Sequence, residues 1–196
     1  MNFDFHVLFA FLSALFFLAS IVPYVQGILK QKVRPNLVSF SGWGLLALIA
    51  TLAQLAEGVT WPLVASLSAT INCFIVVAFA IKFGYIKFST LDKVAIGLGI
   101  MSLALWSITR EPLVALILVV LTDIIVSIPT IVKSYHYPES EDLTAWSLST
   151  IGALLAILTI STFDLANVLY PIWLLFSIGT IMFFVLRGVL KRKNIV

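Results

Sequence analysis

The sequence predicts an all-α integral membrane protein of seven transmembrane helices, laid out as two parallel three-helix repeats joined by a linker helix. Three observations carry that prediction: the composition, the spacing of the apolar stretches, and a self-similarity in which prolines recur in matched order. Of the 196 residues, 61% are hydrophobic and only 11% charged, with a mean hydropathy of +1.12. Soluble domains average about 45–50% apolar and about 25% charged residues. So little charge cannot cover a water-soluble core, which excludes a soluble enzyme, a nucleic-acid binder and a disordered chain. Cys73 is the one cysteine and lies in an apolar run. Neither a disulfide framework nor a thiolate metal cluster is expected, and no metal or other cofactor is implied.

A helix needs about 20 apolar residues to cross the hydrocarbon core. By that measure the spans fall at 5–28, 37–56, 62–81, 94–108, 113–132, 143–162 and 168–186. The leader MNFDFHV carries Asp4 and no lysine or arginine, and the apolar run behind it is longer than that of a signal peptide. The first span is therefore read as a retained helix with its N-terminus outside. The fourth is the weakest, diluted by Gly97, Gly99 and Ser102. The alternating ten-residue segments of a trans-bilayer barrel do not occur. With short connections throughout, the chain reads as one membrane domain: residues 1–86 as the first repeat, 87–110 as the linker helix and 111–196 as the second repeat.

Charge sets the orientation. Lys30, Lys32 and Arg34, then Lys82, Lys87 and Lys93, then Lys133, then Arg187, Lys191, Arg192 and Lys193 all fall on one side of this seven-span reading. Arg110 alone falls on the other. Basic residues concentrate in cytoplasmic loops, so the expected topology is N-out and C-in. Topology accounts for the net charge of +3. The basic tail LRGVLKRKNIV can touch anionic headgroups but needs no partner protein.

Six of the seven prolines fall into pairs. Pro23 and Pro129 lie at the ends of the first and fifth spans. Pro35 and Pro138 sit in the following loops, each eight residues before a tryptophan, Trp43 or Trp146. Pro62 and Pro171 open the third and seventh spans, preceded by Trp61 and Tyr170. The segments IVPYVQGILKQKVRPNLVSFSGW and SIPTIVKSYHYPESEDLTAW align with a three-residue difference in the loop. Two triplets separated by one helix enter the membrane from the same side, so they are parallel repeats about an axis along the membrane normal.

This pattern resembles the SWEET/PQ-loop superfamily over nearly the whole chain, and KQKVRPNLVSFSGW is similar to bacterial PQ-loop-type proteins. The Pro-Gln signature is replaced by Pro23-Tyr24 and Pro129-Thr130. The resemblance implies alternating access between two triplets, with the prolines as hinges. It spans sugar facilitators, proton-coupled amino-acid exporters and a sorting receptor, and so leaves the substrate open.

Pro23 and Pro129 either hinge their helices, each removing one backbone hydrogen bond, or terminate them. Asp123 sits in the run LILVVLTDIIVSIP. An acid at such depth costs about 2.5–3.5 kcal/mol on insertion scales and normally faces a cavity or a partner. No lysine or arginine lies at comparable depth, which makes Asp123 the candidate proton-coupling site. Its repeat-aligned position holds Phe17. Asn72 resembles the third-helix asparagine that contacts substrate in SWEET-type carriers, and it can equally bridge helices. Ser177 or Thr180 falls in the corresponding region of the seventh span. Trp43 and Trp146 are candidates to stack on a solute ring, although tryptophan also populates the interfacial belt, the reading their position near helix ends favours. Thr51, Gln54 and Thr159 are weaker candidates. Glu57 and Asp164 are read as solvated helix ends, and PESED as a helix start without a metal.

The seventh span has no lysine for a retinal Schiff base. The two histidines, His6 and His136, lie on opposite faces, so no hydrolase constellation forms, and an enzyme is not expected. No charge ring suggests a channel. The sequence therefore points to a secondary transporter of a small polar solute, an amino acid or a sugar, working by alternating access with Asp123 as proton site. A non-transporting receptor or scaffold on the same fold is the alternative. One chain suffices for the pathway, so a monomer is enough. The minimal loops and the absence of an Asn-X-Ser/Thr sequon point to a bacterial inner membrane.

Overall fold

Aspartates start three of the helices. Asp4 accepts from the His6 backbone N–H at 2.9 Å, Asp142 from Ala145 at 2.8 Å and Asp164 from Asn167 at 2.9 Å, satisfying donors that a first helical turn leaves free. In the computed structural model, which describes residues 4–59, 61–83, 90–109 and 111–193, seven α-helices result. They are α1 (Phe5–Leu29), α2 (Leu37–Ala56), α3 (Pro62–Phe83), α4 (Thr90–Thr109), α5 (Pro112–His136), α6 (Leu143–Ile157) and α7 (Leu165–Lys193), with a 3-10 turn at Pro138–Ser140 before α6. No strand occurs among the described residues.

Among the described residues five helices, within α1, α2, α3, α5 and α7, are long and apolar enough to cross a membrane. Their outward faces carry Phe11, Leu15 and Phe176, each at least 60% exposed, an apolar surface suited to lipid. The chain is thus compatible with an integral, multi-pass membrane protein.

One alternative is closed and two sequence expectations are corrected. Pro23 and Pro129 terminate nothing, because α1 and α5 continue through them to Leu29 and His136. Pro171 likewise lies inside α7 rather than at its start. The sixth span ends early, at Ile157 instead of residue 162. Leu158, Thr159 and Ile160 donate their N–H groups three residues back, to Leu155, Ala156 and Ile157, and the Thr159 hydroxyl also bonds the Ala156 carbonyl. These short-range bonds tighten and close the last turn. Fifteen residues make α6 about 22 Å long, less than the roughly 30 Å hydrocarbon core. Lys87 and Arg110, used in assigning the topology, lie outside the described residues.

The packing has a simple rule. α1 packs on α3 and α6, α5 packs on α7 and α2, α2 packs on α3, and α6 packs on α7. Exchanging α1, α2 and α3 for α5, α6 and α7 maps each of these contacts onto another. Among the described residues the backbones of α1 and α2 do not come close, nor do those of α5 and α6, and α4 packs outside on α5 and α2. Close approach of α1 to α6 depends on Gly152. Its carbonyl accepts from the Ser13 hydroxyl at 2.8 Å, and a Cβ there would sit 3.1 Å from the Phe17 ring. Small residues at such seams let helices approach and bond across.

The C-terminal ends of α1, α5 and α7 meet on one face. There Lys133 Nζ donates to the Arg34 carbonyl at 3.0 Å, Arg187 to the Tyr135 carbonyl at 3.1 Å, and Arg192 pairs with Glu139 at 2.7 Å. This is the basic face. One apolar cluster, with Phe17, Ala50, Val119 and Ala153, lies away from it. A second, with Ile28, Phe40, Trp146 and Val185, lies toward it.

Candidate functional site

Between these clusters lies a cavity of about 80 Å³, to which every helix except α4 contributes. One ordered water needs about 10–15 Å³ of such space, so the cavity has room for a small solute. Asn72, Asp123, Ser177, Trp43 and Trp146, the residues singled out as substrate- or proton-binding, all line it.

Asp123, on α5, is 5% exposed. Its Oδ2 accepts from Trp173 Nε1 of α7 at 2.5 Å, while Oδ1 is buried and receives no donor. Trp43 and Ser127 lie beside the same carboxyl. They are engaged with each other, Trp43 Nε1 donating to Ser127 Oγ at 3.3 Å, and Ser127 shares a 3.0 Å hydrogen bond with Ser177. Asp123 forms no ion pair among the described residues. An acid is thus held at the cavity wall with one carboxylate oxygen, Oδ1, without a hydrogen-bond donor.

Asn72 Nδ2 donates to the Phe17 carbonyl and to Ser20 Oγ, both at 2.8 Å. The amide therefore ties α3 to α1 while also lining the cavity. Ser177 stands in the matching relation, tying α7 to α5 through Ser127. Thr180 does not line the cavity and bonds its own helix at Phe176.

The two tryptophans are not a lipid belt. Trp43 and Trp146 meet edge to face with ring centres 6.3 Å apart, and Trp146 is 7% exposed. The set is completed by Phe40, 5.1 Å from Trp43 and 5.2 Å from Tyr24, and by Tyr24, 6.2 Å from Trp146. Four rings from α1, α2 and α6 thus form the cavity wall toward the basic face. Three helices distant in sequence bring them together, an inward rotation that position along the chain alone does not disclose.

Behind the rings lies a group that sequence reasoning missed. Glu141, in the PESED run read only as a helix start, is buried. Its Oε2 accepts from Tyr24 Oη at 3.0 Å and Trp146 Nε1 at 2.9 Å, and its Oε1 lies 2.5 Å from Lys133 Nζ. Lys133 in turn reaches the Arg34 carbonyl. One carboxylate thereby links α1, α5, α6 and the loop after α1. The available signal was an acid beside the capping Asp142 in an otherwise basic face. Trp173 was also missed; its signal was an indole placed in mid-span, away from either interface.

The weaker candidates lie elsewhere. Thr51 bonds the Ala47 carbonyl, Thr159 that of Ala156, and Gln54 is buried against Ser66; none lines the cavity. Glu57 is exposed and Asp164 caps α7. No group of three metal-ligating side chains occurs among the described residues. Comparison with family models, curated proteins and solved structures finds no match for the chain.

Proposed function

We propose that the chain is a secondary transporter of a small polar solute, working by alternating access on the SWEET/PQ-loop plan. In this reading α1–α3 and α5–α7 are two parallel triplets, α4 is the linker, and the basic face is cytoplasmic, in a bacterial inner membrane. The exchange rule relating the helix contacts supports the two-triplet arrangement, and the basic loops sharing one face support the orientation. The observation that carries the function is the cavity between the triplets, where Asn72, Asp123 and Ser177 converge. Intramembrane acids mark solute and proton pathways. Asn72 and Ser177 hold the solute, Asp123 carries the proton, and the Tyr24, Trp43 and Trp146 rings with the Glu141–Lys133 pair close the cytoplasmic side. Pro23 and Pro129, each lacking the N–H for one helical bond, are the points where α1 and α5 bend to open it.

The test is uptake of labelled amino acids, sugars and small amines into proteoliposomes, with and without a proton gradient, beside ligand-induced thermal shifts. A solute that is carried, and whose flux is lost in a folded Asp123→Asn protein, is the expected result. A folded protein that carries none of them supports the alternative reading, a receptor or scaffold.

A further inference from the structure

We infer that this cavity selects a small primary alkylammonium ion over zwitterionic and neutral solutes, with Asp123 Oδ1 as its anchor and the aromatic wall as its cradle. The inference narrows the solute class of the proposed transporter and rests on reading the cavity as its solute site. Three observations lead to it. Asp123 is more than nine-tenths buried at the cavity wall, and one of its oxygens has no donor. A buried anion of this kind calls for a positive charge or a proton. Among the described residues, no lysine, arginine or histidine lines the cavity. A zwitterionic amino acid would bring a carboxylate with nothing basic to receive it and an anion already in place to repel it. Four rings, Tyr24, Phe40, Trp43 and Trp146, stand on one side of the same space. Aromatic faces attract ammonium groups, most strongly where water is excluded.

An inorganic cation fits less well, because hard ions take six or more oxygen ligands and much of this wall is ring and alkyl surface. A primary ammonium has three N–H donors. One satisfies Oδ1, and the alkyl stem packs on the rings. Proton and ammonium then compete for one carboxyl, so loading one releases the other, the elementary requirement of exchange. The titratable groups near Asp123 are Cys73 on α3 and Tyr170 on α7. α2 presents Trp43, and among the described residues α4 brings no charged group to it. None of these supplies a competing cation.

The test uses ethylammonium, glycine and ethanol, which are similar in size and differ in charge. Each is titrated into the purified protein while thermal stability and tryptophan fluorescence are followed. Ethylammonium is expected to give a saturable shift that weakens toward acid pH, with glycine and ethanol giving none. Asp123→Asn is expected to weaken ethylammonium binding about tenfold or more. If that variant does not fold, Trp43→Leu provides the same reading. Glycine or ethanol binding as well as ethylammonium, or variants that bind it unchanged, overturns the inference. Proteoliposome flux separates the two proposals. Ethylammonium bound but not carried removes the transporter and keeps the site, whereas a sugar carried equally by wild type and Asp123→Asn does the reverse.

Discussion

Tyr24 Oη donates to Glu141 Oε2 across 3.0 Å, and this bond ties the end of α1 to the segment that begins α6. The carboxylate also holds Trp146 and Lys133, so aromatic wall and ionic pair share one acceptor. Hydrogen bonds to charged groups contribute about 1.5–3 kcal/mol; the Tyr24 bond and the Lys133 pair join α1 and α5 to the segment before α6, elements that must separate if the basic face opens. Glu141→Ala is expected to lower the melting temperature. It should also speed modification of Cys73, half-buried at the cavity, by an impermeant thiol reagent added on the basic side. An unchanged labelling rate would mean that Glu141 closes nothing.

Asp123 and Trp173 should behave as a coupled pair. Trp173→Phe strands the second carboxylate oxygen and is expected to destabilise by about 1.5–3 kcal/mol. In an Asp123→Asn background the same change should cost less. A double-mutant cycle on unfolding free energy measures the difference, and strict additivity would place the 2.5 Å contact outside the energetics of the fold.

The α1–α6 seam depends on close approach at Gly152. Gly152→Val places side-chain atoms against the Phe17 ring and the Ser13 carbonyl. Overpacking of this kind costs about 1–3 kcal/mol, so a fall in melting temperature is expected, while Gly97→Ala, where a Cβ meets nothing within 4 Å, should leave it unchanged. Equal effects of the two substitutions would count against the seam.

Orientation is open to chemical labelling. In a Cys73→Ser background, Glu139→Cys is expected to react with an impermeant reagent only from the cytoplasmic side, and Asp164→Cys only from outside. Both positions are exposed. The opposite pattern would invert the topology.

The hinge role proposed for Pro23 and Pro129 makes a kinetic prediction. Pro23→Ala and Pro129→Ala each restore a backbone donor inside a continuous helix. Turnover in proteoliposomes should fall while solute affinity is kept. Full turnover in both variants would leave the prolines as packing residues.

Much of the fold was legible in one dimension. Five of the seven expected spans lie within four residues of the helix boundaries at each end, because about 20 apolar residues are what a bilayer demands wherever they occur. Asp123 was legible for the same reason, since an acid in an apolar run is conspicuous without knowledge of its neighbours. Local backbone bonding was less visible: Pro23 and Pro129 sit within helices that run past them, and α6 stops at Ile157 through bonds three residues long.

The all-helical, apolar character of the chain and the five helices long enough to cross a membrane followed from the sequence alone, because partitioning into lipid depends on the content of each segment. Tertiary structure decided which side chains meet. Whether Trp43 and Trp146 face lipid or each other, whether Trp173 reaches Asp123, and whether Glu141 is solvated or buried under Tyr24 all depend on the rotation of one helix against another. That rotation results from many small contacts between residues far apart in the chain, and no periodicity of a single helix records it.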